Sequence, residues 1–178
     1  MKRFLLIPIL LIAAAGWATT VKPMSVEDLT AQASAVVEGQ ATESWSAWNP
    51  QHTLIYTFTR LRVAKTLKGR ADETLLIKQL GGSAGGYTQK VAGVHPLRSG
   101  DESVLFLRPS EARDGTMVIV GLMQGNFRIE REAKTGSAVV NNGVSDVHQS
   151  SGGAVTRYQG AKLTLRQLET RVRRANNG

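Results

Sequence analysis

The glycine-rich stretch from Gly81 to Gly86 contains the first residues in this sequence that could do chemistry. Gly81-Gly-Ser83-Ala-Gly85 matches the Gly-x-Ser-x-Gly pattern of a nucleophile elbow, in which a serine lies on a sharp turn between a strand and a helix. Ser83 could pair with His95 and Asp101 across the loop, so a serine hydrolase is one hypothesis. The residues after Ser83 carry no helical stripe and are broken by glycine and proline. The sequence therefore favours a flexible glycine loop between two strands.

Phosphate and metal sites are the next kinds of chemistry to consider. The same glycines could hold a phosphate through backbone N–H groups, but no Gly-Lys-Ser/Thr follows and no helix is predicted to begin there. The three histidines, His52, His95 and His148, lie far apart, and none has a neighbour at metal-ligand spacing. The acidic residues form no cluster resembling a calcium loop. The sequence thus predicts no catalytic residue, no cofactor and no metal site.

Basic and aromatic residues follow each other along one predicted strand. The basic residues are Arg60, Arg62, Lys65 and Lys68 there, and Arg171, Arg173 and Arg174 on the last predicted helix. Barrels that bind oligonucleotides combine such charges with stacking rings, which Trp45, Trp48, Tyr56 and Phe58 could supply. Against this, Tyr56 and Phe58 lie where a core is expected. The alternative is a solvated basic face that favours anionic lipid or cell-wall polymers.

Two tryptophans next to a predicted turn give the most plausible recognition surface. Trp45 and Trp48 precede Asn49-Pro50, and tryptophan contributes strongly to binding interfaces. They could equally pack over the end of the fold. The loop from Gly81 to Pro96, which carries Tyr87 and His95, is the second predicted surface. The candidate binding residues are therefore Trp45, Trp48, Tyr87 and His95.

The element that must position these loops is a long predicted strand, Thr53–Gly69. Its odd positions from Ile55 to Val63 share one face, and Leu54, Tyr56 and Phe58 share the other. The apolar character begins on both faces and ends on the odd face alone. This pattern is typical of a strand that bends around a small barrel.

The other predicted elements are short. A helix is expected over Val26–Ala33 with Ser25 as its N-cap, and a second helix follows Thr164 with a stripe of Leu165, Leu168 and Val172. Further strands are expected over 35–44, 74–80, 103–108, 117–122, 126–132 and 137–140. Consecutive strands with short links predict a mainly β fold, an antiparallel OB-like β-barrel with a short N-terminal helix and a C-terminal helix.

Residues 1–18 have the pattern of a signal peptide. Lys2 and Arg3 precede an apolar run that is shorter than the ~20 residues needed to span a membrane. Cleavage is expected after Ala18, with Gly16 as the alternative. Removing Lys2 and Arg3 from 22 basic and 14 acidic residues leaves 20 and 14, a net charge of +6. We expect an exported protein, periplasmic or extracellular, with no transmembrane segment after cleavage. Because cysteine is absent, packing alone must hold the fold.

The composition divides the chain into four predicted parts. Residues 1–18 form the signal peptide and 19–143 the OB-like barrel. Residues 144–160, rich in Ser, Gly, Gln and Thr, are predicted to be a flexible loop. Residues 161–178 form the C-terminal helix, which is expected to pack on the barrel.

Several strand motifs resemble the netrin-like domain, the OB-type barrel of the tissue inhibitors of metalloproteinases. They are Ala35-Val-Val-Glu-Gly39, the strand Ile55–Val63 and Leu67-Lys-Gly69. The chain is also similar to a group of exported bacterial domains through Leu67-Lys-Gly69, Gly81-Gly82, Gly93-Val-His-Pro96 and Gly100-Asp-Glu102. The resemblance implies a fold and, more loosely, an exported protease as partner. Those inhibitors bind the protease zinc through an N-terminal cysteine, which this chain lacks, so that mechanism does not transfer.

The hypothesis from the sequence is an exported, non-enzymatic binding domain. Its partner would be an exported protein such as a protease, which it would modulate, or an anionic envelope component. The alternatives are an OB-type module for oligonucleotides or anionic polymers, and a serine hydrolase using the Gly81–Gly86 loop.

Overall fold

The computed structural model of the protein describes residues 23–131, 137–142, 148–151, 154–157 and 162–177. The expected signal peptide and both of its cleavage positions lie outside the described residues. They stay predictions.

Twelve strands and two α-helices make up the described chain. The helices are α1 (Val26–Gln32) and α2 (Leu165–Asn177). The strands are β1 (Ala35–Trp48), β2 (Ile55–Lys68), β3 (Thr74–Leu80), β4 (Gly82–Ala84), β5 (Tyr87–Gln89), β6 (Glu102–Pro109), β7 (Met117–Ile119), β8 (Asn126–Arg131), β9 (Ala138–Asn141), β10 (His148–Ser151), β11 (Ala154–Arg157) and β12 (Lys162–Thr164). A short 3-10 helix, Leu122–Gly125, links β7 to β8.

Five strands close into a mixed barrel in the order β1-β2-β3-β7-β6, with β6 returning to pair with β1. The predicted mainly β fold with a closed barrel and two terminal helices is confirmed, and the barrel is compatible with an OB-like one. One pair departs from the antiparallel expectation: β3 and β7 run parallel, joined at Ile77 and Met117. β7 forms an antiparallel hairpin with β6 and lies between β6 and β3 in the sheet.

The faces of β2 follow the predicted alternation. Ile55, Thr57, Thr59 and Leu61 are buried in the barrel, whereas the even positions face outward. Tyr56 and Phe58 are therefore half-buried on the outer surface. The sequence had led us to expect them in the core.

A β-bulge at Thr42 in β1, the strand next to β2, exchanges the faces on which the following β1 residues lie. Ala41 pairs with Leu61, but the next pair is Glu43 with Arg60, so one residue of β1 has no counterpart on β2. Beyond the bulge Trp45 lies beside Phe58 on the outer face. Another register shift occurs between Glu38 and Gly39.

The core has two parts, one on each face of β6. Inside the barrel, residues such as Leu61, Ile77 and Leu105 are fully buried together with Leu97 from the loop before β6. On the other face of β6, Phe106 packs with Phe127 from β8 against both helices. The C-terminal helix joins this second core through Leu168 and Val172.

The segment that was expected to be a flexible loop contains β10 and β11, which pair antiparallel, while the rest of 143–161 lies outside the described residues. The proposed division of the chain stays a prediction. None of the helices in the described part of the chain combines the length and the apolar character needed to cross a membrane.

Candidate functional site

Two hairpins meet at one end of the barrel. In the turn between β1 and β2, the Asn49 side-chain oxygen accepts hydrogen bonds from the backbone N–H groups of Thr53 (2.8 Å) and Leu54 (3.0 Å). The turn between β4 and β5 consists of Gly85 and Gly86, with φ of 58° and 82°. Two consecutive residues at positive φ fit a tight hairpin turn, and glycine adopts that conformation without strain. Both turns are thus fixed by local sequence.

The β4–β5 hairpin lies against the inner face of the β1–β2 hairpin. A Cβ atom at Gly82 would come within 2.3 Å of Ser46 Oγ and 2.5 Å of Thr57 Oγ1, so only glycine permits this approach. The backbone N–H of Ile55 donates to Gln89 Oε1 (2.8 Å), and that of Gly81 donates to the carbonyl of Ile55 (2.7 Å). The two hairpins are therefore held together by backbone contacts and hydrogen bonds.

Three rings at this end form what we name the tip cluster: Trp48, His52 and Tyr87. Trp48 stacks on His52 with 5.9 Å between centroids and meets Tyr87 edge to face at 5.7 Å. Trp48 is half-buried, whereas Tyr87 is 68% exposed. The cluster therefore holds a large, amphipathic side chain in solvent on a fixed support.

A second aromatic group, which we name the outer row, lies on the outside of the barrel and consists of Trp45, Phe58 and Tyr56. Trp45 stacks on Phe58 at 5.8 Å, and Phe58 lies 6.5 Å from Tyr56. Arg60 lies 5.8 Å from the Trp45 ring and Lys78 lies 4.5 Å from the Tyr56 ring. The faces of these rings already contact cations or other rings of the same molecule.

The cations of the outer row are paired within the protein. Arg60 contacts Glu43 at 3.1 Å, and Lys78 contacts Asp114 at 2.9 Å. The hydrogen bond from the Thr116 hydroxyl, followed by that from Lys78, holds the pKa of Asp114 well below its usual range. The row therefore has little net charge.

Pairing extends to other residues of the expected basic face. Glu169 contacts both Lys65 (2.6 Å) and Arg173 (3.6 Å). Arg171 makes a double contact with Glu27, which lowers the pKa of Glu27 and raises that of Arg171. The excess of basic residues is real, but several of those singled out from the sequence are engaged with carboxylates.

The predicted binding residues are only partly brought together. Trp45 and Trp48 lie in β1 and not in a loop, and the rings point to opposite faces of the hairpin because their spacing is odd. Trp48 and Tyr87 do meet. His95 is exposed, its backbone carbonyl accepts from Gln79 Nε2 (3.0 Å), and its ring is not among the ring contacts of the described residues.

His52 was missed as a binding residue. It lies in the turn close to Trp48 and adopts a positive φ of 54°, which allows its ring to reach back onto the tryptophan. The sequence signal was its position just after Asn49-Pro50, where a turn was expected. That signal places His52 in a turn but does not place its ring.

The residues of the serine hydrolase hypothesis have other partners. Ser83 Oγ lies 2.8 Å from Thr88 Oγ1 across the β4–β5 hairpin, and a strand follows it in place of a helix. Asp101 accepts from the backbone N–H of Arg98 (2.9 Å) and from Arg128 (3.1 Å). Within the described ranges, no group of His, Cys, Asp and Glu has the arrangement of a metal site.

No protein-family model matches the chain, and no curated protein matches it.

Proposed function

We propose that the protein is an exported, non-enzymatic binding domain that contacts a protein partner through the tip cluster. One observation carries this proposal: Tyr87 is 68% exposed yet is supported by Trp48 from another hairpin. Exposed tyrosine and tryptophan residues supply much of the binding energy at protein interfaces. Because the two hairpins are hydrogen-bonded to each other, we expect little conformational entropy to be lost when a partner covers them.

An exported protease is the most specific candidate for the partner. It rests on the resemblance of the sequence to netrin-like domains, which are OB-type barrels. The closed barrel of this protein is compatible with an OB-like barrel. Export rests on the signal-peptide pattern of residues 1–18. The absence of cysteine means that any effect on a protease would have to use a surface other than a metal-binding N-terminal thiol.

An anionic envelope component is the second candidate, and the net charge supports it. Oligonucleotide binding has weaker support, since it needs free ring faces and free cations. In the outer row the rings contact each other, and Arg60 and Lys78 pair with Glu43 and Asp114.

The test compares the wild-type protein with Tyr87→Ala and with Lys90→Ala, a change of an exposed residue just beyond the same hairpin. Each is used to capture proteins from the culture medium and periplasm. Each is also added to an assay of proteolysis by an exported protease. We expect Tyr87→Ala to weaken capture of a specific partner by about tenfold or more and Lys90→Ala to leave it unchanged.

Identical capture by all three proteins would contradict the tip cluster as the binding surface. Recovery of no protease, together with unchanged proteolysis, would count against the protease partner. Sedimentation with cell-wall polymer at two salt concentrations tests the envelope alternative, because binding to a polyanion weakens as salt rises.

A further inference from the structure

We propose that the protein has a second binding site, a cleft in the side of the barrel that takes a small amphipathic carboxylate. This side cleft lies between β3 and β7 and has a volume of about 370 Å³, within the range of small-molecule sites. Its lining includes Tyr56, Lys78, Arg108, Glu111, Val118 and Leu122. The site is independent of the proposed function, because none of the tip cluster residues lines it.

The topology of the barrel explains why a cleft forms here. β3 and β7 are the parallel pair, and they are joined at a single position, Ile77 with Met117. Beyond that position the strands separate. The inner side of the gap is closed by the loop before β6, since Gln79 binds the backbone of His95 and Leu97 and Leu97 is buried in the barrel. The outer side of the same gap is the side cleft.

The wall of the cleft is amphipathic, with apolar side chains beside polar and charged ones. Leu80, Val94, Val118 and Leu122 contribute aliphatic side chains, and Tyr56 contributes its ring. Apolar side chains that line a concave surface favour an apolar ligand, because burying both surfaces removes them from water.

Two cations border these apolar side chains, but they differ in availability. Lys78 has only 16% of its side chain exposed and is held by Asp114 and by the Tyr56 ring. Arg108 is 45% exposed, and its partner Glu111 is 86% exposed, with 3.1 Å between Nη1 and Oε1. Such an exposed pair contributes little to stability, so a ligand carboxylate can replace Glu111 on the guanidinium. An apolar body with one carboxylate therefore fits the cleft.

Leu122 provides a second, independent indication of a site. It is 45% exposed and has φ of +59°, a conformation that is strained for a large aliphatic residue. Burial of the side chain does not compensate for this strain in the protein itself. Strained residues are concentrated at ligand sites, and here the strained residue presents an aliphatic side chain at the rim of the cleft.

The experiment measures binding of octanoate, of N-acetyl-leucine and of neutral 1-octanol to the purified protein by NMR chemical-shift perturbation and calorimetry. We expect a carboxylate probe to bind with shifts at Val118 and Leu122, and 1-octanol to bind at least tenfold more weakly. Arg108→Gln should weaken carboxylate binding by about tenfold. Glu111→Gln should strengthen it by about two- to threefold, since it removes the competing carboxylate. Arg131→Gln, which breaks a comparable exposed pair on β8, is the matched control and should have no effect.

Octanoate and N-acetyl-leucine separate the two sources of this chemistry, a fatty acid and the C-terminus of a peptide. Binding of either that depends on Arg108 supports the proposal and identifies the source. The proposal is overturned if neither carboxylate binds, if the shifts lie outside the cleft, or if Arg108→Gln and Glu111→Gln both bind like the wild type. Because Glu111→Gln is expected to increase affinity, misfolding of a variant cannot imitate the predicted pattern.

Discussion

The ring of Trp48 meets the ring of Tyr87 edge to face, with 5.7 Å between their centroids, although the two residues belong to different hairpins. Trp48 ends β1, the strand whose other end is buried in both parts of the core. The position of the exposed Tyr87 side chain is therefore set by a core strand and not only by its own short hairpin. The proposed binding surface is therefore supported from the core of the fold.

This contact predicts different consequences for its two partners. Trp48→Ala should lower the free energy of unfolding by about 2 kcal/mol, because a half-buried ring with two aromatic contacts is lost. Tyr87→Ala should lower it by about 0.5 kcal/mol, because most of that ring is already in solvent. Urea denaturation followed by circular dichroism measures both. Equal losses would show that Tyr87 supports the fold, which would weaken its assignment to binding.

Alanine substitutions at Gly69 and Gly86, which have similar φ angles, should differ in how much stability they cost. Gly69 has φ of +73°, and a Cβ atom there would come within 2.2 Å of the Ser34 carbonyl oxygen. Gly86 has φ of +82° with nothing within 4 Å. Gly86→Ala should therefore cost about 1 kcal/mol of stability from the backbone conformation alone. Gly69→Ala should cost about 3 kcal/mol or more, because the backbone of β1 must also shift. Thermal unfolding of the two variants measures both losses. Similar losses of stability at the two sites would contradict this explanation.

Alternation along β2 correctly placed Ile55, Thr57, Thr59 and Leu61 on one face, because each face of a strand repeats every second residue. It did not show that Tyr56 and Phe58, which were expected in the core, lie on the outer surface. The same rule failed to place Trp45. The bulge at Thr42 inserts one residue into β1 and thereby exchanges its two faces, and nothing in the local sequence distinguishes Thr42 from its neighbours. The strand was predicted only over 35–44, with both tryptophans next to the turn, so the sequence did not predict which tryptophan faces outward.

Contacts between distant parts of the chain account for the rest of what was missed. Tyr87 could be chosen as a candidate, but its contact with Trp48 depends on how the β4–β5 hairpin packs. The parallel pairing of β3 with β7 likewise depends on the path of the chain after Leu80. The side cleft follows from that pairing, so it could not be predicted from the sequence.

Asp114 predicts a dependence of stability on acid. Its pKa is lowered in the folded protein, so its contribution is fully present above the ordinary carboxyl pKa of about 4 and is lost as the pH falls toward the folded pKa. Asp114→Asn should therefore reduce the loss of unfolding free energy between about pH 4 and pH 2. Thr116→Val should act in the same direction, because the Thr116 hydroxyl is the largest cause of the shift. Urea denaturation across this range, with a carbon-13 NMR titration of the Asp114 carboxyl, measures both effects. An ordinary carboxyl titration in the wild type would refute the assignment.

The contact between the two helices predicts that packing, and not charge, holds α2 in place. Leu168 is fully buried between the helices and the sheet, so Leu168→Ala should lower the free energy of unfolding by about 3 kcal/mol. Glu27 and Arg171 are half and more than a third exposed, so Glu27→Gln should cost about 1 kcal/mol at most, and less in high salt. Denaturation of each variant at low and high salt separates the contribution of packing from that of the ion pair. A loss for Glu27→Gln that equals that of Leu168→Ala, and that persists in high salt, would show that the ion pair anchors the helix.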